Sequence, residues 1–194
     1  MHKKFDHSAI EKKWQGRWKD TKLYEVSNDH AGKQKQYILT EYPYPSGNLH
    51  IGHWHAFGPP DIFVRAKRMQ GNHVLSPVGF DSFGLPAENA AIKNKLNPKK
   101  WTYENIARMT TQLESMGNSY DWSRKVVTSD PEYYKWTQWL FLQFFKNGLA
   151  YRGVSPVNWC PSCRTVLANE QVINGLCERC DSAIETREMP QWLL

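Results

Sequence analysis

The hydrophobic residues near the start of the chain repeat with the period of a helix. Ile10, Trp14 and Trp18 recur every fourth residue and therefore share one face. Ser8 and Glu11 have the spacing of a capping box, in which each side chain accepts a hydrogen bond from the other residue's backbone N–H. This pattern predicts a short amphipathic helix, and the polar, glycine-containing segment after it predicts a loop.

The next part of the chain has the pattern of a strand, a helix and a second strand. The β-rich run YILTEY at 37–42 predicts a short buried strand. The segment 60–71 has helical character and ends at a glycine, and the segment 72–84 predicts a second strand that runs into a turn. Two strands joined by a crossover helix form a βαβ unit with a parallel pair. The fold class expected is therefore α/β.

Three more helical segments are predicted after this unit. They cover 86–95, 101–116 and a stretch that begins at Asp130–Pro131 and ends at Gly148. The second has Ile106, Met109, Leu113 and Met116 on one face. The third is rich in large apolar side chains, which we expect to pack in the core. These are Trp136, Trp139, Leu140, Phe141, Phe144 and Phe145.

Composition narrows the class of protein. Hydrophobic residues make up 40% of the 194 residues, which is enough for a packed core. The formal net charge of +6 favours anionic partners such as nucleotides or RNA. No apolar run reaches the roughly 20 residues that span a bilayer, and the N-terminus lacks the apolar block of a secretory signal. These features predict a cytoplasmic protein.

The four cysteines form two CxxC pairs, Cys160 with Cys163 and Cys177 with Cys180. Two such pairs at this separation are typical of a tetrahedral site with four thiolate ligands, which suits Zn²⁺. Four protein ligands leave no open position, so the metal would be structural rather than catalytic. The alternatives are two disulfides or a redox pair, which a reducing compartment disfavours.

A turn with two histidines, His50-Ile51-Gly52-His53, stands where the predicted strand leads into a helix. The first turn of a helix attracts phosphate, and the glycine permits close approach. Imidazole N–H groups can donate to phosphate oxygens, where charge develops during attack at phosphorus. The pattern favours nucleotidyl transfer at the α-phosphate of ATP. The alternative is a pair of ordinary structural histidines.

Several segments carry a family resemblance. GNLHIGH contains the HIGH signature of class I aminoacyl-tRNA synthetases, although small nucleotidylyltransferases share H-x-G-H. The surrounding segments resemble the N-terminal part of the bacterial-type leucyl-tRNA synthetases, and the resemblance covers the chain from about Phe5. Isoleucyl and valyl enzymes typically have a Trp-Asp-Cys-His run where this chain has Phe80-Asp81-Ser82-Phe83. The segments are YPYPSGNLHIGH, GFDSFGLPAENAA, WTYENIARM, YDWSR and VNWCPSCRTVLANEQV.

The resemblance implies specific roles for residues of this sequence. His50 and His53 would be catalytic, and with Gly52 they would contact ATP, which is used with Mg²⁺. Asp81 would pair with the α-ammonium of leucine, and Tyr42 and Tyr44 would line the amino-acid pocket. The four cysteines would hold structural Zn²⁺ in an insert. The reaction implied is formation of leucyl adenylate and transfer of the leucyl group to tRNA(Leu).

The resemblance also implies a division of the chain. Residues 1–36 would be an N-terminal helix and loop, 37–150 the first half of a Rossmann-like catalytic domain, 151–185 the zinc-binding insert, and 186–194 the start of a connection to an editing domain. The KMSKS signature of the family is absent. We therefore expect a fragment of a longer enzyme, with the C-terminal part as its partner. The alternatives are an isoleucyl or valyl enzyme and a non-catalytic zinc-ribbon module that binds RNA.

Overall fold

A computed structural model describes residues 5–194, apart from the side chain of Pro86. The chain divides into two compact units, one ending at Tyr134 and the other comprising Lys135–Leu194. The helices are α1 (His7–Asp20), α2 (Ile51–Met69), α3 (Leu85–Lys93), α4 (Pro98–Ser115) and α5 (Pro131–Lys146). The strands of the first unit are β1 (Lys35–Tyr37), β2 (His73–Leu75), β3 (Pro77–Phe80) and β4 (Asp121–Val127). Among the described residues, no helix is both long and apolar enough to cross a membrane.

The cap of α1 differs from the predicted capping box. The Asp6 carboxylate accepts a hydrogen bond from the Ala9 amide at 3.0 Å and caps the helix. Because α1 begins at His7, Ser8 lies inside the first turn and cannot be the cap. The Ser8–Glu11 capping box is therefore wrong, although the predicted helix exists.

The predicted βαβ unit is confirmed, with different boundaries. β1 and β2 are parallel, and α2 is the crossover between them. The first strand covers 35–37 rather than 37–42. Among the described residues, the pairing with β2 continues beyond Tyr37 by one hydrogen bond, from the Ile38 amide to the Leu75 carbonyl at 3.0 Å. α2 begins at Ile51, well before the predicted residue 60, because His50 caps it.

The sequence pattern did not predict strand β4. β4 pairs in parallel with β3, and helices α3 and α4 connect the two strands. The core of the first unit is formed where α2, β3, β4 and α4 contribute buried side chains. Its members are Phe57, Val78, Phe80, Ile106, Met109, Leu113, Tyr120 and Val127. The face of α4 predicted from Ile106, Met109 and Leu113 is therefore confirmed.

The expectation that the aromatic residues of α5 are core residues is wrong for this structure. In α5, every residue of which is described, no side chain is buried. Trp136 is 63% exposed, Trp139 54% and Phe145 52%. The helix carries large apolar side chains on several faces, and the ring contacts made by Phe141 and Phe145 go to Trp192.

The second unit contains small antiparallel sheets. Strand β5 (Tyr151–Cys160) pairs along its length with β9 (Glu185–Leu193), and β6 (Thr165–Leu167) pairs on its other side. Two short strands, β7 (Val172–Ile173) and β8 (Leu176–Cys177), form a separate hairpin. The buried cluster here comprises Cys160, Leu167 and Cys177. So small a core favours an additional crosslink such as a metal.

Candidate functional site

The two histidines of the HIGH sequence cap α2 reciprocally. His50 Nδ1 accepts a hydrogen bond from the Gly52 amide at 3.1 Å. His53 Nδ1 accepts one from the His50 amide at 3.2 Å. The ring centroids lie 4.0 Å apart. The two imidazoles therefore form one unit at the amino end of the helix.

This geometry determines which ring nitrogen carries the proton. Because both Nδ1 atoms accept from backbone amides, the proton of each neutral ring is on Nε2. The Gly52 and His53 amides are already paired, to His50 Nδ1 and to the His50 carbonyl. Among the described residues, neither Nε2–H has a partner, so the imidazoles rather than these two amides are the donors left for a ligand.

Gly52 is required by the position of the His50 ring. A Cβ atom on residue 52 would lie 2.9 Å from Cε1 and 3.0 Å from Nδ1 of His50. A side chain would therefore displace the ring that caps the helix. The sequence predicted that this glycine permits close approach to the backbone. In the structure, the group that approaches residue 52 is the His50 imidazole of the same chain.

The environment of His53 disfavours its charged form. Burial lowers the pKa of His53, and the neighbouring His50 lowers it further. A ring with a lowered pKa stays neutral at physiological pH and donates through Nε2–H without carrying a full charge.

The turn before α2 is attached to α4. The Leu49 amide donates to Gln112 Oε1 at 3.0 Å, and Gln112 Nε2 lies 3.5 Å from Asn48 Oδ1. Since Leu113 beside Gln112 is buried in the core, this contact fixes the turn to the packed part of the unit. Gln112 was not a predicted site residue, because nothing in its sequence context marks a contact 63 residues away.

Asp81 lies directly after β3, at the carboxyl end of the parallel β3–β4 pair. Its amide donates to the Pro43 carbonyl at 3.1 Å, and its carboxylate Oδ1 accepts from Thr128 Oγ1 at 3.3 Å. Carboxyl ends of parallel strands are the usual ligand-binding edge of α/β sheets. The structure thus brings Asp81 beside the Tyr42–Tyr44 segment.

The two candidate tyrosines differ in their surroundings. The ring of Tyr42 lies against Gly79, where an added Cβ would be 2.7 Å from Cε2. Burial raises the pKa of Tyr42, and Tyr37 and Tyr133 raise it further. Tyr44 is 54% exposed. Tyr42 is therefore held in place by the strand backbone, whereas Tyr44 presents a free ring.

The four predicted metal ligands converge in the second unit. The Sγ atoms of Cys160, Cys163, Cys177 and Cys180 all lie within 4.8 Å of one another. A tetrahedral ZnS₄ site with bonds of about 2.3 Å has S···S edges of about 3.8 Å. The Cys163 amide donates to Cys160 Sγ at 3.3 Å, inside the first CxxC turn. These residues fit a structural tetrahedral metal.

The disulfide alternative does not agree with the structure. All four cysteines are free thiols, and Cys180 Sγ lies 3.5 Å from Cys160 Sγ and 3.4 Å from Cys163 Sγ, whereas a disulfide bond is about 2.05 Å long. Hydrogen bonds from Ser182 lower the pKa of Cys180 to about 6, and the hydrogen bond to Cys180 raises the pKa of Cys163 to about 12. The cluster therefore already favours a thiolate at Cys180, the form that binds metal.

Three residues beside Asp81 were missed by the sequence interpretation. Ser82 and Ser129 exchange hydrogen bonds, with Ser82 Oγ donating to Ser129 Oγ at 2.9 Å and accepting from the Ser129 amide at 3.1 Å. Thr128 lies between them and Asp81. The available signal was the run VVTSD at 126–130, a β-branched stretch followed by small polar residues.

The fold and these sites define a class of protein. The family model described as "tRNA synthetases class I (I, L, M and V)" matches residues 13–194. The chain therefore belongs to the class I tRNA synthetase family, which confirms the α/β fold class and the resemblance inferred from the HIGH sequence.

Within this family, the similarity is to leucine enzymes. The chain is 58% identical over 191 residues to the leucine–tRNA ligase of Deinococcus radiodurans, covering 98% of the chain and 23% of that protein. It is 54% identical over 194 residues to the leucine–tRNA ligase of Herpetosiphon aurantiacus, covering 99% of the chain and 24% of that protein. The chain thus spans about a quarter of the length of these relatives.

One solved structure agrees with the similarity to leucine enzymes, and a second shares the fold. The agnB2 LeuRS of Agrobacterium radiobacter K84, solved as a ternary complex with tRNA and LeuAMS, matches 97% of the chain and 24% of that protein with a TM-score of 0.92 and 39% identity. A methionyl-tRNA synthetase of Mycobacterium tuberculosis in complex with methionyl-adenylate matches 82% of the chain and 32% of that protein with a TM-score of 0.66. At 19% identity, the second similarity shows the fold alone.

Proposed function

We propose that this chain is the first part of the catalytic domain of a leucine–tRNA ligase, and that it supplies groups that bind ATP and leucine. The observation that carries the proposal is the reciprocal capping of His50 and His53, which leaves two Nε2–H donors together at the amino end of α2. The identity of 58% to a leucine–tRNA ligase supports leucine as the amino acid.

The first reaction is activation of leucine. An oxygen of the leucine carboxylate attacks the α-phosphorus of ATP, the bond from that phosphorus to the β-phosphate oxygen breaks, and pyrophosphate leaves. Negative charge builds on the phosphate oxygens during attack. His50 and His53 donate Nε2–H hydrogen bonds to this charge, and such donors stabilise a transition state without being consumed. ATP enters as its Mg²⁺ complex, whose cation offsets the phosphate charge.

Leucine is held by its ammonium group and its side chain. The Asp81 carboxylate is a counter-charge for the α-ammonium, which a partly buried site requires. The ring of Tyr42, which packs on Gly79, and the exposed ring of Tyr44 supply apolar walls for the isobutyl group. Shape rather than hydrogen bonding would then select leucine, because its side chain carries no polar atom.

The second reaction transfers the leucyl group to tRNA(Leu). A hydroxyl of the terminal adenosine attacks the carbonyl carbon of leucyl adenylate, and AMP leaves. Because the chain spans only 23% of the Deinococcus radiodurans enzyme, we propose that this step also uses residues of the rest of the enzyme, which is therefore a partner of this segment. The compartment we propose is the cytoplasm, where the four thiols stay reduced.

The four cysteines are proposed to hold Zn²⁺ in a structural role. Four thiolates close the coordination sphere and leave no position for substrate. We retain the division into 1–36, 37–150, the zinc-binding insert 151–185 and the connection 186–194 as a proposal. Residues 186–193 of the last segment belong to strand β9, which pairs with β5.

The experiment is a chimera in which this chain replaces the matching segment of the Deinococcus radiodurans enzyme, to which it is 58% identical. ATP–pyrophosphate exchange is measured with a panel of amino acids. We expect leucine to give the highest kcat/KM and the double variant His50→Ala/His53→Ala to lose exchange. His55→Ala is the matched control, since His55 lies on the same helix and is exposed.

Each outcome of this assay is decisive. Exchange with isoleucine or valine above leucine would assign the chain to another enzyme of the family. A folded chimera with no exchange for any amino acid, and with RNA binding by residues 135–194, would favour the non-catalytic zinc-ribbon module. Loss of exchange in His55→Ala equal to that in the double variant would contradict the specific role of the two capping histidines.

A further inference from the structure

The hydroxyl of Thr128, the residue directly after β4, connects two residues at the end of β3. Thr128 Oγ1 accepts a hydrogen bond from the Ser82 amide at 2.8 Å and donates to Asp81 Oδ1 at 3.3 Å. A threonine hydroxyl has one proton to donate. Because the carboxylate is the strongest acceptor within reach, that proton is directed to Asp81.

The neighbouring hydroxyls do not compete for this proton. The Ser82 hydroxyl donates to Ser129 Oγ at 2.9 Å and accepts from the Ser129 amide at 3.1 Å. Ser82 Oγ lies farther from Thr128 Oγ1, at 3.4 Å, than the Ser82 amide does. The Thr128 hydroxyl therefore accepts a hydrogen bond from the Ser82 amide and donates one to the Asp81 carboxylate.

The backbone around Asp81 is fixed from both sides. The Thr128 amide donates to the Phe80 carbonyl at 3.1 Å, and the Asp81 amide donates to the Pro43 carbonyl at 3.1 Å. Phe80 is fully buried and Ser82 nearly so. Asp81 therefore projects from an anchored backbone, and its remaining freedom is rotation of the carboxylate itself.

The hydrogen bond from Thr128 removes that freedom. It engages Oδ1, whereas Oδ2 of Asp81 has no hydrogen-bond partner among the described residues. A carboxylate held by one oxygen presents the other in a defined direction, which reduces the entropy lost when a cation binds. The arrangement suits a single ammonium group.

We propose that Thr128 is a positioning residue that orients the Asp81 carboxylate toward the α-ammonium of the amino-acid substrate. This inference rests on the proposed function, because it assumes that Asp81 binds that ammonium. Thr128 is not a catalytic residue, since it acts through Asp81.

The test compares Thr128→Val, which keeps the shape and removes the hydroxyl, with Thr128→Ser, which keeps the hydroxyl, in the same chimera. Loss of a hydrogen bond to a charged group changes binding by about tenfold. We expect the leucine KM of Thr128→Val to rise about tenfold with an unchanged ATP KM, and Thr128→Ser to stay near the parent value. Thr110→Val is the matched control, because within the described part of the chain the Thr110 hydroxyl donates to its own helix, at the Ile106 carbonyl.

A second measurement separates orientation of Asp81 from general loosening of the site. Leucinol and 4-methylpentan-1-ol differ only by the amine, and both are tested as competitive inhibitors against leucine. Thr128→Val should weaken inhibition by leucinol and leave inhibition by the amine-free alcohol unchanged. Equal weakening of inhibition by the two compounds, or a rise in the ATP KM, would show that Thr128 has only a structural role and would overturn the proposal.

Two further outcomes are decisive. In an Asp81→Asn background, Thr128→Val should raise the leucine KM much less than in the parent, because the carboxylate that Thr128 orients is gone. Fully additive effects of the two substitutions would overturn the inference. If the valine variant folds poorly, Thr128→Ala carries the same inhibitor comparison. A parent chimera without leucine-dependent exchange would instead be a failure of the proposed function, which distinguishes the two.

Discussion

His50 and His53 hold each other in place. The Nδ1 atom of each ring accepts a hydrogen bond from a backbone amide, and the ring centroids are 4.0 Å apart. The same interaction that begins α2 therefore sets the tautomer of both rings. Capping and chemistry use different nitrogens of each imidazole, so a substitution can separate them.

A first prediction separates the cap from the donor. In His50→Asn, the amide oxygen can replace Nδ1 as acceptor of the Gly52 amide, but no group replaces Nε2–H. We expect stability close to that of the parent and a fall in the exchange kcat of about 10²–10³-fold. His50→Ala should lose similar activity and also about 1 kcal/mol of stability. Denaturant unfolding and exchange kinetics of the chimera check this, and full activity in His50→Asn would contradict the donor role.

A second prediction concerns pH. Burial lowers the pKa of His53 in the folded protein below its ordinary value of about 6.5, and the neighbouring His50 lowers it further. The unfolded state therefore binds more protons below this value, and stability falls as the pH drops through it. Unfolding free energies at pH 7.5 and 5.5 should differ less in His53→Gln than in the parent. If the His53 imidazole titrates above pH 6.5 by NMR, its pKa is not lowered, and the predicted fall in stability with falling pH would be contradicted.

A third prediction concerns Gly79. A Cβ there would lie 2.7 Å from the Tyr42 ring and 2.8 Å from the Val126 carbonyl. Gly79→Ala should therefore destabilise the first unit by about 1–3 kcal/mol, because the core must shift. Gly16 in α1 is the matched control, since nothing lies within 4 Å of its added Cβ. Gly16→Ala should stabilise by about 0.5–1 kcal/mol, and equal effects of the two changes in denaturant unfolding would refute the argument.

A fourth prediction concerns the metal. The purified chain should contain one zinc ion, and a chelator should release it and unfold the segment 151–193, because the small core around Leu167 depends on the four thiolates. Hydrogen exchange should then show lost protection in β5 and β9 while α4 stays protected. Metal-free protein with the same exchange pattern would count against the site, and Cys177→Ser should reproduce the effect of the chelator.

The sequence alone determined the features that depend on local chemistry. The CxxC pairs fixed the four candidate ligands because their spacing is a property of two tight turns. The run His50-Ile51-Gly52-His53 marked a turn that leads into a helix and the candidate phosphate contacts, although the helix itself was predicted to begin only at residue 60. The apolar face of α4 followed from a period of 3.6 residues.

Tertiary structure decided the contacts between residues distant in sequence. Strand β4 was missed because its pairing with β3 depends on two intervening helices. For the same reason, the sequence could not predict the contact between Thr128 and Asp81, which are 47 residues apart. Periodicity likewise could not decide whether the aromatic side chains of α5 are covered, because burial depends on which neighbours pack against a face. Local patterns record propensity and spacing, whereas burial and long-range hydrogen bonds exist only once the chain has folded.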